Sequence, residues 1–203
     1  MQIILDPIEL RILGSLMEKQ MTTAEYYPMT RNALAAACNQ STNRDPVMAL
    51  AEMEIERGIE RLRAKDLAHT VAGGGARVQK YGQTLDRHLD LTLPQKAALC
   101  VLMLRGPQTI GEIRGRTDRM YRFASTVEVE EILVTLTSHP KGQFVVRLER
   151  EPGQKEPRYA QILSGLAEHD PPSAHTPSLP PSPLGEDQVT RLENRLHRLE
   201  GEM

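Results

Sequence analysis

"LDPIELRILGSLME" (5–18) and "LTLPQKAALCVLML" (91–104) align at a constant offset of 86 residues. Leu5, Leu13, Leu16 and Met17 fall on Leu91, Leu99, Leu102 and Met103. Apolar residues recur at helical spacing in both stretches, so each reads as an amphipathic helix. Asp6 before Pro7 is a favoured helix start, a short acceptor side chain followed by a residue that needs no N–H partner. Thr92 is the matching cap, with Pro94 setting the start a residue or two later. A repeated first helix raises the question of whether the rest of the chain repeats too.

Working outward, the same order of elements follows each copy. Thr30 caps a short second helix over "RNALAAAC" and Thr109 caps one over "IGEIRGRT", with Leu34 matching Ile113. A longer third helix places Ile55, Ile59 and Leu62 on one face in the first half, and Val129, Leu133 and Leu136 in the second. Ser125 and Glu128 carry the capping-box spacing. Each third helix leads into a hairpin. One turns at Gly73, Gly74 and Gly75, the other near Pro152 and Gly153, with Tyr81 and Tyr159 in equivalent places.

Helix, helix, helix, hairpin, twice, is the order of two winged helices. The expected fold is therefore mainly α with small β-hairpins: tandem winged helix-turn-helix domains over 1–86 and 87–166. Residues 167–187 hold six of the 14 prolines and read as a flexible linker. In 188–203, Val189, Leu192, Leu196 and Leu199 alternate spacings of three and four, an a/d seam about two heptads long. That seam predicts a short coiled-coil-like helix serving oligomerisation, a homodimer for choice.

The stretch "EKQMTTAEYYPMTRNALAAACNQSTNRDPV" (18–47) resembles the signature region of the YceH family of uncharacterised bacterial proteins, and "RMYRFA" (119–124) matches it in the second half. The resemblance spans residues 3–165 and implies a tandem winged-helix architecture. It implies no catalytic residue and no ligand.

Composition narrows the function classes. Aromatics make up 3% of the chain, too few for stacking platforms along single-stranded nucleic acid. The formal net charge is −2, but Lys+Arg outnumber Asp+Glu by 11 to 8 over 91–166, while 167–203 is acidic, 3 against 7. Cys38 and Cys100 stand far apart, and no histidine joins them at ligand spacing, so neither a metal nor another cofactor is expected. The N-terminus lacks the pattern of a signal peptide, and no run approaches a membrane span. A cytoplasmic protein with reduced thiols is expected. "AGGGAR" (72–77) lacks the setting of a phosphate loop, and no nucleophile or nucleotide motif appears, so no enzyme is expected.

Two functions fit. The first is binding of double-stranded DNA, in a transcriptional regulator. Arg114, Arg116, Arg119 and Arg122 crowd into nine residues around the joint before the last helix. Asn43 and Arg44 lie in the corresponding joint of the first half, and Arg77 and Lys80 in its wing. Arginine can contact phosphate or guanine edges, and asparagine can read adenine. The acidic third helices, with Glu52, Glu54 and Glu56 in one and Glu128, Glu130 and Glu131 in the other, oppose ordinary insertion into the major groove. The arginines equally suit a solvated face paired with glutamates, and "STNRDP" equally suits a self-bonded structural loop, with Arg44 and Asp45 tied to the body. The second function is a protein-interaction scaffold without DNA binding.

Overall fold

The chain runs through α1 (Pro7–Thr22), β1 (Met29–Thr30), α2 (Arg31–Cys38), α3 (Glu52–Ala64), β2 (Ala68–Val71) and β3 (Lys80–Gln83), and then α4 (Leu85–Leu89). A second series follows: α5 (Leu93–Arg105), α6 (Ile110–Thr117), α7 (Thr126–Thr137), β4 (Val145–Arg147) and β5 (Tyr159–Gln161). These come from a computed structural model that describes residues 3–71 and 78–165. The glycine turn with Arg77, and the tail with Val189, Leu192, Leu196 and Leu199, lie outside the described residues.

Local chemistry sets the helix starts. The Asp6 carboxylate accepts from the N–H groups of Ile8 and Glu9 at 2.8 and 2.9 Å, and Glu9 reaches back to the Asp6 N–H at 2.8 Å. Such a reciprocal box satisfies N–H groups that the first turn leaves without helical partners. Thr109 and Glu112 make the same box at α6. At α7 the arrangement departs from the expectation. Ser125 Oγ accepts from the Glu128 N–H at 3.2 Å, but Glu128 passes over Ser125 to accept from the Ala124 N–H and the Tyr121 hydroxyl, both at 2.7 Å. The Tyr121 hydroxyl, not the cap residue, completes the carboxylate's shell.

The periodic apolar residues form one core. Leu13, Leu16, Leu34, Ile55, Ile59 and Leu62 in the first series are buried, as are Leu99, Leu102, Ile113, Val129, Leu133 and Leu136 in the second. Each such side chain removed from water contributes about 1.5–3 kcal/mol. α1 and α5 pack against each other, so the two series share that core. Gly14 allows the approach. A Cβ built there would stand 2.9 Å from Leu104 Cδ2.

The sheets repeat as well. β3 lies between β1 and β2, antiparallel to both, with Met29 opposite Tyr81. β4 and β5 pair antiparallel, with Val145 opposite Gln161. Gln108 then exchanges both backbone hydrogen bonds with Tyr159, at 2.9 and 2.8 Å. One residue thus stands where β1 stands in the first sheet. Tyr81 and Tyr159 each face that short outer segment, as their matched sequence positions predict.

The junction between the series holds an element that the periodicity does not reveal. α4 buries Leu85 and Leu89 in the core. Thr84 Oγ1 donates to the Asp66 carbonyl at 2.6 Å, and Lys96 pairs with Asp86 at 2.9 Å. A five-residue helix is too short to show a period, so only its packing defines it.

Candidate nucleic-acid interface and adjoining cleft

The joint between α2 and α3, residues 39–51, is bonded to the body along its length. The Asn39 side chain accepts from the Leu50 N–H at 2.8 Å and donates to the Leu50 carbonyl at 2.9 Å, closing the loop on itself. Arg11, buried in α1, donates to the carbonyls of Cys38 and Pro46. The Asp45 N–H donates to the Leu104 carbonyl at the end of α5, at 2.9 Å. Asn43 takes a left-handed φ of 57°, a conformation that asparagine tolerates better than most residues, which is how the turn does without glycine.

Arg44 is not presented to a ligand. Its side chain is fully covered, and it grips Glu18 with both terminal nitrogens, at 3.1 and 2.7 Å. Its Nε donates to the Ala37 carbonyl at 3.1 Å and Nη1 also reaches the Asn43 carbonyl. With four of its five N–H donors engaged and the side chain covered, this guanidinium cannot reach a phosphate. Arg44 therefore leaves the set of candidate DNA contacts and becomes the anchor of the joint. Burial pushes the Glu18 carboxyl up, but the hydrogen bonds and charge of Arg44, helped by Lys19, outweigh it, and Glu18 titrates below the usual carboxylate range.

The four arginines of the second joint divide by role. Arg114 donates to the carbonyls of Phe123 and Ala124, at 3.4 and 3.0 Å, and so holds the loop around the buried Phe123 ring. Arg116 is half-buried and makes a long 3.5 Å ion pair with Glu112. Arg119 and Arg122 are exposed and have no ion-pair partner among the described residues. Lys80 is exposed on β3, likewise without an ion-pair partner among the described residues. In the second wing, Arg158 is tied to the Pro107 carbonyl and to Glu112 at 2.8 and 3.1 Å, so it braces the sheet.

The two joints meet at a cleft of about 100 Å³ between the C-terminal ends of α1 and α5. Lys19, Asn43, Arg105, Arg116 and Arg119 line it together with Glu18. Asn43, Arg116 and Arg119 from the sequence-based set converge here, while Arg114, Arg122 and Lys80 do not line it. Sequence reasoning missed Lys19 and Arg105. The signal was available, because position 19 plus the repeat offset of 86 is 105, so both repeats place a cation one residue beyond the aligned stretch. Arg105 Nη1 donates to Asn43 Oδ1 at 2.9 Å, while its Nε is buried with no hydrogen-bond partner. Burial, and then the charge of Arg116, lower Arg105 from the ordinary guanidinium value.

Residues 5–154 match the family described as "Protein of unknown function, DUF480". The chain belongs to that family. It is 47% identical over 203 residues to a UPF0502 protein of Geotalea uraniireducens, covering all of this chain and 90% of the relative. A UPF0502 protein of Citrifermentans bemidjiense is 45% identical over 97% of this chain and 90% of its own length. The UPF0502 protein of Geobacter sulfurreducens is 46% identical over 81% of this chain and 74% of its own length. UPF0502 is the YceH family, so the resemblance carried by residues 18–47 and 119–124 identifies the family correctly. Among the described residues, no helix is long and apolar enough to cross a membrane.

Proposed function

We propose that this DUF480 protein is a non-catalytic, tandem winged-helix protein that binds double-stranded DNA as a homodimer, as a transcriptional regulator does. The order of helices and the equivalent sheets, β1–β3–β2 in one half and Gln108–β5–β4 in the other, support the winged-helix reading. One observation carries the DNA reading. Arg119 and Arg122 stand exposed and without ion-pair partners on the joint that leads into α7, where a helix-turn-helix meets the duplex. Lys80 adds a cation on the first hairpin. α7 itself carries Glu128, Glu130 and Glu131 and no basic residue, so the contact is with the backbone through the joint rather than with bases through the helix.

Fluorescence anisotropy with random-sequence duplex, titrated with salt, tests this. Phosphate contacts release counterions, so affinity must fall with a log–log slope near −0.9 per contact. A slope of about −2 or steeper that flattens by about one in Arg119→Ala supports the reading. A flat salt response or no binding at low salt argues for the second reading, a protein-interaction scaffold. Val127 and Val134, 61% and 57% exposed on α7, and Met53, 62% exposed on α3, favour that alternative, because apolar residues on these helices suit a protein partner better than a phosphate backbone.

A further inference from the structure

The cleft between the two joints has a charge balance that the protein does not satisfy by itself. Four cationic side chains line it, Lys19, Arg105, Arg116 and Arg119, against the single carboxylate of Glu18. That carboxylate is already held by both terminal nitrogens of Arg44 from behind and by Lys19 at 3.3 Å, so it has no charge left over for the three arginines. Arg116 has only the 3.5 Å contact to Glu112, and Arg119 has no ion pair among the described residues. Arg105 is anchored by a neutral amide oxygen rather than by a carboxylate, and keeps a buried Nε without a partner. Cations converging on a recess with so little counter-charge repel one another unless an anion joins them.

We infer that this cleft binds a small tetrahedral oxyanion, a phosphate group, between Arg105, Arg116 and Arg119. Guanidinium groups donate two parallel N–H bonds to phosphate oxygens, and Thr42, Gln40 and Asn43 on the same lining add neutral donors for the remaining oxygens. A volume of about 100 Å³ admits an inorganic phosphate or the terminal phosphate of a small metabolite, and leaves no room for a buried nucleoside. A purely apolar ligand is excluded by the lining. A cation is excluded by the charge.

Position gives the site a consequence. Lys19 ends α1, Arg105 ends α5, Asn43 belongs to the first joint, and Arg116 and Arg119 flank the start of the second. A phosphate held by these side chains ties both repeats together at the one place where their joints meet. The inference does not depend on duplex binding, although a backbone phosphodiester offers the same chemistry as a free phosphate.

Isothermal titration of the full chain with inorganic phosphate, at constant ionic strength against chloride, tests the site. Saturable binding is expected, weakened about tenfold or more in Arg105→Ala, as fits loss of hydrogen bonds to a charged group. Arg150→Ala, an exposed arginine outside the cleft, should leave it unchanged. Arg116→Gln is the companion variant, and circular dichroism with a thermal melt establishes that each variant folds. Duplex affinity of Arg105→Ala then separates the sources: unchanged affinity assigns the cleft to a free phosphate, and a matching loss assigns it to a backbone phosphate. Either result supports the oxyanion site. No saturable phosphate binding by the wild-type protein, or binding indifferent to both Arg105→Ala and Arg116→Gln, overturns it, whatever the duplex measurement shows.

Discussion

The Sγ of Cys100 lies 3.4 Å from the carbonyl oxygen of Gly14, and the two residues are counterparts in the repeat, 86 positions apart. The helices carrying them meet at equivalent points of their surfaces. The surrounding contacts are reciprocal in the manner of an isologous interface. The first joint bonds to the end of α5 through Asp45 and Asn43, and the second joint shares the cleft with the end of α1. The repeat thus pairs two equivalent helices and, beside them, forms one shared recess.

Gly14→Ala should lower stability despite the better helix propensity of alanine. The gain is about 1 kcal/mol. The new methyl would meet Leu104 Cδ2 at 2.9 Å and Cγ at 3.1 Å in a packed core, and overpacking of this kind costs about 1–3 kcal/mol. A urea midpoint below wild type with an unchanged m-value is the expected outcome. An unchanged or raised midpoint would show that Leu104 moves aside freely.

Arg44→Ala should be among the most damaging single changes, costing about 3 kcal/mol, because it leaves Glu18 with only the 3.3 Å contact to Lys19 and leaves the Ala37 carbonyl without its donor. Arg44→Lys should recover only part, since an ammonium cannot match both carboxylate oxygens from one plane. Equilibrium denaturation of the two variants against wild type checks the order.

The same pair makes stability depend on pH in the acid range. The folded Glu18 pKa lies below its unfolded value, so the unfolded chain binds the proton more tightly. The contribution is fully present above the ordinary carboxylate pKa and is lost as pH falls through the lower, folded value. Glu18→Gln should flatten this part of the stability–pH curve. An identical acid slope in wild type and variant would contradict the assignment.

Both thiols should resist labelling in the native state. Burial pushes Cys38 up to about 11, and pushes Cys100 further in the same direction. Neither side chain is exposed. Ellman's reagent at mildly alkaline pH should therefore react with two thiols after denaturation and with essentially none before it. Rapid native labelling would mean that the α1–α5 contact opens readily if it falls on Cys100, or the α1–α2 contact if it falls on Cys38.

Among the joint arginines, stability and duplex affinity should separate. Arg114→Ala removes donors to the Phe123 and Ala124 carbonyls and should cost about 0.5–1.5 kcal/mol of stability. Arg119→Ala and Arg122→Ala should leave the melting temperature near wild type and weaken duplex binding, with the salt slope flatter by about one for each. Paired melts and anisotropy titrations distinguish the two patterns.

Much of this molecule was legible in the sequence because it rests on local chemistry. Asp6, Thr30, Thr109 and Ser125 cap their helices because a side-chain oxygen lies within reach of N–H groups two or three residues ahead. The apolar period named the buried faces of α1, α3, α5 and α7, and the offset of 86 exposed the repeat. α4 escaped because five residues carry no period. Tertiary structure alone decided which charges are free. Arg44 and Arg119 look alike as letters, both in polar joints beside an aspartate. One is covered and bound to Glu18, 26 positions earlier in the chain, and the other is exposed. The cleft was equally hidden, since its lining comes from α1, α5 and both joints, and only the packing of the two repeats brings those cations to one place. Capping and periodicity act over a few residues, whereas burial and charge pairing depend on what the fold sets alongside.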